Sequence, residues 1–119
     1  KLLFKLMANS FLNKKVDLTT TDNTTLYTVP DANTAVIKSL LISEDAGSGT
    51  TITVTLTDAS SNVFSLFKTK TISSNTTTEL LTQPLVIEEK EVLKVQAGYA
   101  NRLHVVASIL QIQPREVTT

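Results

Sequence analysis

The 119-residue chain contains no cysteine, which excludes disulfide frameworks, thiolate zinc sites and cysteine nucleophiles together. A chain without disulfides takes its stability from core packing or from association with other subunits. Its two tyrosines and four phenylalanines are too few and too scattered for a base-stacking platform or an aromatic sugar-binding strip. Three glycines and three prolines exclude a collagen-like or low-complexity fibre. Lys plus Arg equal Asp plus Glu at 11 each, so no field invites a polyanion and no nucleic-acid partner is expected. No apolar run approaches the ~20 residues that span a bilayer, so no membrane partner is expected either. One histidine, His104, is present, and any mechanism built on a histidine base must pass through it.

What the chain does have is threonine and alternation. In residues 50–58, Ile52, Val54 and Leu56 alternate with threonines, the period of a strand with one dry and one wet face. Gly47 and Gly49 before it, and Asp58-Ala59-Ser60-Ser61-Asn62 after it, supply turn chemistry. The unit recurs over residues 24–29, 35–43, 62–70, 76–83, 92–97 and 103–112, with residues 85–87 continuing the 76–83 strand past Pro84. Pro30-Asp31-Ala32-Asn33, Ser73-Ser74-Asn75, Glu88-Glu89-Lys90-Glu91 and Gly98-Tyr99-Ala100-Asn101 mark the turns between them. Seven or eight strands without crossover helices predict an all-β, antiparallel β-sandwich, with a jelly roll as the favoured version.

Residues 1–22 read as an N-terminal arm, 23–113 as the β-sandwich domain and 114–119 as a polar C-terminal tail. Lys1-Leu2-Leu3-Phe4-Lys5-Leu6-Met7 resembles a signal peptide but is too short and lacks a cleavage site. Met7-Ala8-Asn9-Ser10 reads as an ordinary N-terminus, with residues 1–6 either an upstream extension or a genuine arm. The first dozen residues leave room for a helix, marginal without caps, and the expectation is an arm that gains order against a neighbour.

Candidate chemistry is sparse. His104 sits in an apolar strand, and no serine has a nucleophile-elbow context, so His104 reads as a packed or interfacial strand residue; no catalytic residue is assigned and no enzyme is expected. Glu88, Glu89 and Glu91 fall in a charged turn rather than a substrate cleft. Asp31, Glu44, Asp45 and Asp58 lie in predicted loops without calcium-loop spacing, so no metal or other cofactor is predicted. Asn23-Thr24-Thr25 and Asn75-Thr76-Thr77 match the N-glycosylation acceptor pattern, as a threonine-rich chain does by chance.

Two strands depart from clean alternation. In residues 35–43, Val36, Leu40 and Ile42 are read on one face and Ile37 and Leu41 on the other; in 103–112, Val106 and Leu110 oppose Val105 and Ile109. A two-layer sandwich leaves each strand one solvated face, so Val36, Leu40, Ile42, Val106 and Leu110 are the candidate subunit-interface residues. The competing reading is that the arm folds back over these faces.

Leu26-Tyr27-Thr28-Val29-Pro30, the apolar strand 35–43, Thr76-Thr77-Thr78-Glu79-Leu80-Leu81, Pro84-Leu85-Val86-Ile87, Val92-Leu93-Lys94-Val95-Gln96-Ala97 and Leu103-His104-Val105-Val106-Ala107-Ser108 resemble the small virion structural proteins of tailed bacteriophages over residues 24–112. The resemblance implies a capsid decoration (cement) protein on the virion surface, or else a tail or fibre module contacting the host surface. It further implies a homo-oligomer, with a trimer favoured, and the major capsid protein as partner. Phe4, Phe11 and Leu12 are the candidate capsid-facing residues of the arm, because an arm ordered on binding covers much surface with little chain.

Overall fold

The computed structural model describes the backbone of residues 3–118 and the side chains of residues 9–113. Among the described residues nine strands run in order: β1 Leu3–Leu18, β2 Thr24–Thr28, β3 Thr34–Glu44, β4 Thr50–Thr57, β5 Val63–Ile72, β6 Thr77–Glu79, β7 Leu85–Ile87, β8 Val92–Ala97 and β9 Leu103–Thr118. No helix occurs among the described residues.

The pairing is nested. β4 pairs β5, β3 pairs β6 and β7, β2 pairs β8 and β1 pairs β9, all antiparallel, so the chain is one long hairpin folded on itself. Two further ladders, β9 on β3 and β8 on β4, roll that hairpin into a sheet ordered β1-β9-β3-β6, with β7 also on β3, and a second ordered β2-β8-β4-β5. This is the jelly roll expected from the strand count.

The core lies between the sheets. Ile37, Leu40, Ile42, Val105 and Ile109 face Ile52, Val54, Leu93 and Val95, all essentially fully buried. β4 behaves as its alternation predicts: Ile52 and Val54 are buried, while Thr51, Thr53, Thr55 and Thr57 alternate with them on the half-buried side.

β3 does not follow the expected alternation. Ile37 and Ser39 pair with the consecutive residues Ile109 and Ser108, so Lys38 is an extra residue, a β-bulge. A bulge shifts the two-residue period by one position, which exchanges the faces. Before it Ala35 and Ile37 point inward; after it Leu40, Ile42 and Glu44 do. Leu40 and Ile42 are therefore core residues, 1% and 0% exposed, and are withdrawn from the interface set. Val36 shares the outer face with Leu41 instead.

The neighbouring strand is broken at the same level. β7 pairs residues 35–37 of β3 and β6 pairs 41–43, leaving the bulge unladdered between them. Glu79 fills the gap: its carboxylate accepts the Leu40 N–H at 2.7 Å and the Ser39 hydroxyl, and also the Leu81 N–H at 3.2 Å. Leu80 donates its own N–H to the Leu40 carbonyl and is buried. One carboxylate thus satisfies the backbone donor that the bulge strands.

The expected arm and tail are two halves of one ribbon. Residues 3–18 form no helix; they are a strand, β1, paired along its length with β9 from Leu103 to Thr118. Along β1, Leu18 is buried and Val16 and Leu12 are half-buried against the core, while Asp17, Lys15, Asn13 and Phe11 are exposed. β1 extends the edge of its sheet and covers neither sheet's outer surface. The ladder of β9 on β3 ends at Ile112, so residues 3–8 and 113–118 pair only with each other and extend past the sheet, in a molecule measuring 63 × 27 × 24 Å.

Candidate functional site

Cross-strand registers assemble the outer face of the β1-β9-β3 sheet in rows. Phe11 pairs Leu110, Leu110 pairs Val36 and Val36 pairs Val86, an apolar row spanning four strands. Phe11 is 80% exposed and Val86 57%, with Leu110 and Val36 half-buried between them. A second row runs Lys15, Val106, Leu41, Glu79. Between these two rows lie Asn13, Ser108 and Ser39; beyond the second lie Asp17, His104, Ser43 and Thr77. A shallow depression of about 460 Å³, lined by Phe11, Asn13, Lys38 and Ser108 among others, lies within this face. Adjacent apolar side chains on neighbouring strands form one continuous patch, the kind of surface that marks contact with another molecule.

The outer face of the second sheet differs. Its depression, of about 300 Å³, is lined by Thr21, Thr51, Thr53, Thr69 and Gln96 with Ala97 and Gly98, and its exposed large apolar residues, Val63 and Phe64, lie on the edge strand β5. Gly98 is required there: a Cβ would stand 2.5 Å from Thr51 Oγ1.

His104 lies on the outer face of the first sheet, exposed, with Nε2 3.2 Å from Asp17 Oδ1 and Nδ1 3.5 Å from Asp45 Oδ2. Both ring nitrogens thus face carboxylates, an arrangement in which the ring ties β1 and the loop after β3 to β9. Four of the other acids singled out above, Glu44, Asp58, Glu89 and Glu91, serve the backbone. Burial acts to raise the Glu44 pKa, but N–H donors from Asn75, Gly47, Gly49 and Ser48 outweigh it and hold the carboxylate at about 2. That loop needs its glycines, because Gly47 and Gly49 adopt φ of 79° and 70° to aim their N–H groups at Glu44. Asp58 is held below the usual carboxylate range chiefly by the Asn62 N–H, and also receives the Ser60 N–H. Glu89 accepts the Ala32 N–H and Glu91 the Glu88 N–H. These carboxylates close turns, which is why the predicted loops hold their shape.

Of the residues predicted from sequence, Val36, Val106 and Leu110 come together on the outer face, and Phe11 joins them from the arm. Leu12 points the other way, against the core. The Phe4 side chain lies outside the described residues. Sequence reasoning did not find Val86, Lys15 or Glu79, because each becomes a neighbour of this patch only through strand register. Leu41 was recognisable as apolar but was assigned opposite to Val36, for want of the bulge.

No protein-family model matches the chain, and no curated protein does. Among solved structures, the fold matches a chain in the acidic stable capsid structure of Helicobacter pylori bacteriophage KHP30, with TM-score 0.56 and 13% identity, over 99% of this chain and 100% of that one. Looser likenesses are to a virus-like particle chain of the extra small virus of the giant freshwater prawn Macrobrachium rosenbergii (TM-score 0.45, 11% identity, 90% of this chain and 79% of that one) and to a chain of the Gx strain of infectious bursal disease virus (TM-score 0.39, 8% identity, 97% and 35%). The chain has a viral capsid-like jelly-roll fold.

Proposed function

We propose that this protein is a structural part of a virion, and specifically a decoration protein that binds the outside of an assembled phage capsid and stabilises it. One observation carries the reading: a chain of a phage capsid structure matches this jelly roll end to end, over 99% of this chain and 100% of that one. A subunit that recognises the assembled lattice and not the free capsid protein stabilises the lattice by mass action, needing no catalytic group. In this reading the ribbon of residues 3–8 and 113–118, which includes Phe4, is the capsid-facing arm, while Leu12 serves the core. The major capsid protein is the partner.

The test is co-sedimentation with assembled capsids and, separately, with unassembled capsid protein of a phage encoding the chain. Binding to capsids alone supports the reading. Equal binding to both, or a copy number in virions on the scale of a tail tip rather than of the capsid lattice, overturns it. The alternative, a tail or fibre module contacting the host surface, draws on a different observation: in the loop before β9, Tyr99 is 60% exposed with the Arg102 guanidinium 4.2 Å over its ring. Saturable binding of the isolated protein to host cells would favour it.

A further inference from the structure

We propose that two copies of this chain pack face to face through the outer surface of the β1-β9-β3 sheet, about a two-fold axis running along the strands. The pattern of that face is self-complementary under this operation. A two-fold axis along the strands, between β9 and β3, keeps each row on itself and exchanges its ends. Phe11 then meets Val86 of the second copy, Leu110 meets Val36, Val106 meets Leu41 and Lys15 meets Glu79, each pair occurring twice. An in-plane axis perpendicular to the strands, through the row of Asn13, Ser108 and Ser39, would set Leu110 on Val106 and Val36 on Leu41 but lay the charged Lys15 on Phe11 and the charged Glu79 on Val86. That burial is unfavourable for both.

The charges agree with the first arrangement. The Lys15 ammonium has an amide partner only, Asn13 Oδ1 at 3.3 Å. The Glu79 carboxylate accepts from Ser39, Leu40 and Leu81, all neutral donors. Among the described residues neither has an ionic partner within the chain, and the two-fold supplies one to each. Asp17 and His104 come to lie over the hydroxyl-bearing residues Thr77 and Ser43 of the other copy, so no like charges are opposed. Lys38, exposed at the bulge, lines the same depression, and its long stem lets the ammonium reach water from within the interface.

The size is adequate. Four strands about 4.8 Å apart and nine positions of about 3.4 Å along β9 give a face of roughly 19 by 30 Å, or about 570 Å² per copy. Two copies bury about 1,100 Å², above the ~1,000 Å² expected of a specific interface. Aligned sheet packing at about −30°, the usual geometry of sandwiches, is compatible with an axis along the mean strand direction. A patch complementary to itself makes a closed two-fold contact, whereas a trimer needs two different patches.

This inference rests on reading the face as an assembly surface, not on the identity of the assembly. A dimer with no affinity for capsids would leave it standing and overturn the decoration reading, and a monomer that binds capsids would do the reverse. The experiment uses the full chain. Light scattering coupled to size exclusion at tens of micromolar is expected to give twice the chain mass of 12.9 kDa. Leu110→Lys is expected to give 12.9 kDa with an unchanged far-ultraviolet circular dichroism spectrum, and Lys15→Glu to weaken association about tenfold at low salt. A zero-length carbodiimide crosslink in a mixture of ¹⁴N and ¹⁵N chains is expected to join Lys15 of one isotope to Glu79 of the other. A monomer or a trimer, or a dimer without the mixed-isotope Lys15–Glu79 crosslink, overturns the proposal.

Discussion

Leu40 and Leu41 are adjacent and chemically identical, so truncating each in turn isolates the effect of the bulge at Lys38. Leu40 is 1% exposed and in the core; Leu41 is 37% exposed on the outer face. Leu40→Ala removes three carbon atoms from a dry environment, about 2.4 kcal/mol at about 0.8 each. A residual cavity of roughly 50 Å³ at about 24 cal/mol per Å³ adds about 1.2, for a total of about 3.6 kcal/mol. In a chain of 119 residues that lowers Tm by roughly 10–20 °C. Leu41→Ala gives up only partial contact and is expected to cost under about 1 kcal/mol. Urea unfolding followed by circular dichroism measures both, in a Leu110→Lys background so that association does not contribute to stability. Equal costs, or a larger cost for Leu41→Ala, would refute the reasoning. Unbroken alternation from Ala35 and Ile37 would carry Ser39, Leu41 and Ser43 inward, and that is what such a result would mean.

Other perturbations address the carboxylate clamps and the second sheet. The native Glu44 pKa is depressed from its ordinary 4.5 to about 2, so its contribution is complete above pH 4.5 and is lost as pH falls toward 2. Thermal melts across that window are expected to show Glu44→Gln less stable at neutral pH and flatter in its acid loss than the parent chain. Glu79→Ala strands the Leu40 N–H and the Ser39 hydroxyl and is expected to cost about 1–3 kcal/mol by urea unfolding, with faster hydrogen exchange at the bulge. Gly98→Ala drives a Cβ to 2.5 Å from Thr51 Oγ1 and is expected to cost about 1–3 kcal/mol. Adding Thr51→Ala removes that oxygen and should recover part of the loss, a coupling that a double-mutant cycle reads directly.

Much of the fold was legible because its signals are local. The alternation of Ile52, Val54 and Leu56 placed β4, and turn-forming residues separated nearly every strand from the next. An antiparallel sandwich follows from many short strands without helices, whereas the strand order that makes it a capsid-like jelly roll comes from the ladders. Less of the candidate site was legible. Val36, Val106 and Leu110 could be flagged because two strands carry more apolar residues than one buried face can use. Phe11 was flagged as part of an arm, yet its place beside Leu110 depends on β1 joining the sheet edge. Val86, in a three-residue strand after Pro84, and the pair Lys15 and Glu79 have no sequence signal, since they are far apart in the chain and near this patch only across the ladder.

The sequence by itself determined where strands form and where they turn, because side-chain period and turn propensity act over a few residues. It also determined that some apolar surface would be left over. Which residues supply that surface was decided by the tertiary structure. A run such as Val36-Ile37-Lys38-Ser39-Leu40-Leu41-Ile42 supports either alternation equally well, and only the break between β6 and β7, with the Glu79 carboxylate available to cap a stranded N–H, lets the chain insert Lys38 and exchange its faces there. That one extra residue sends Leu40 and Ile42 into the core and puts Leu41 beside Val106 on the outside.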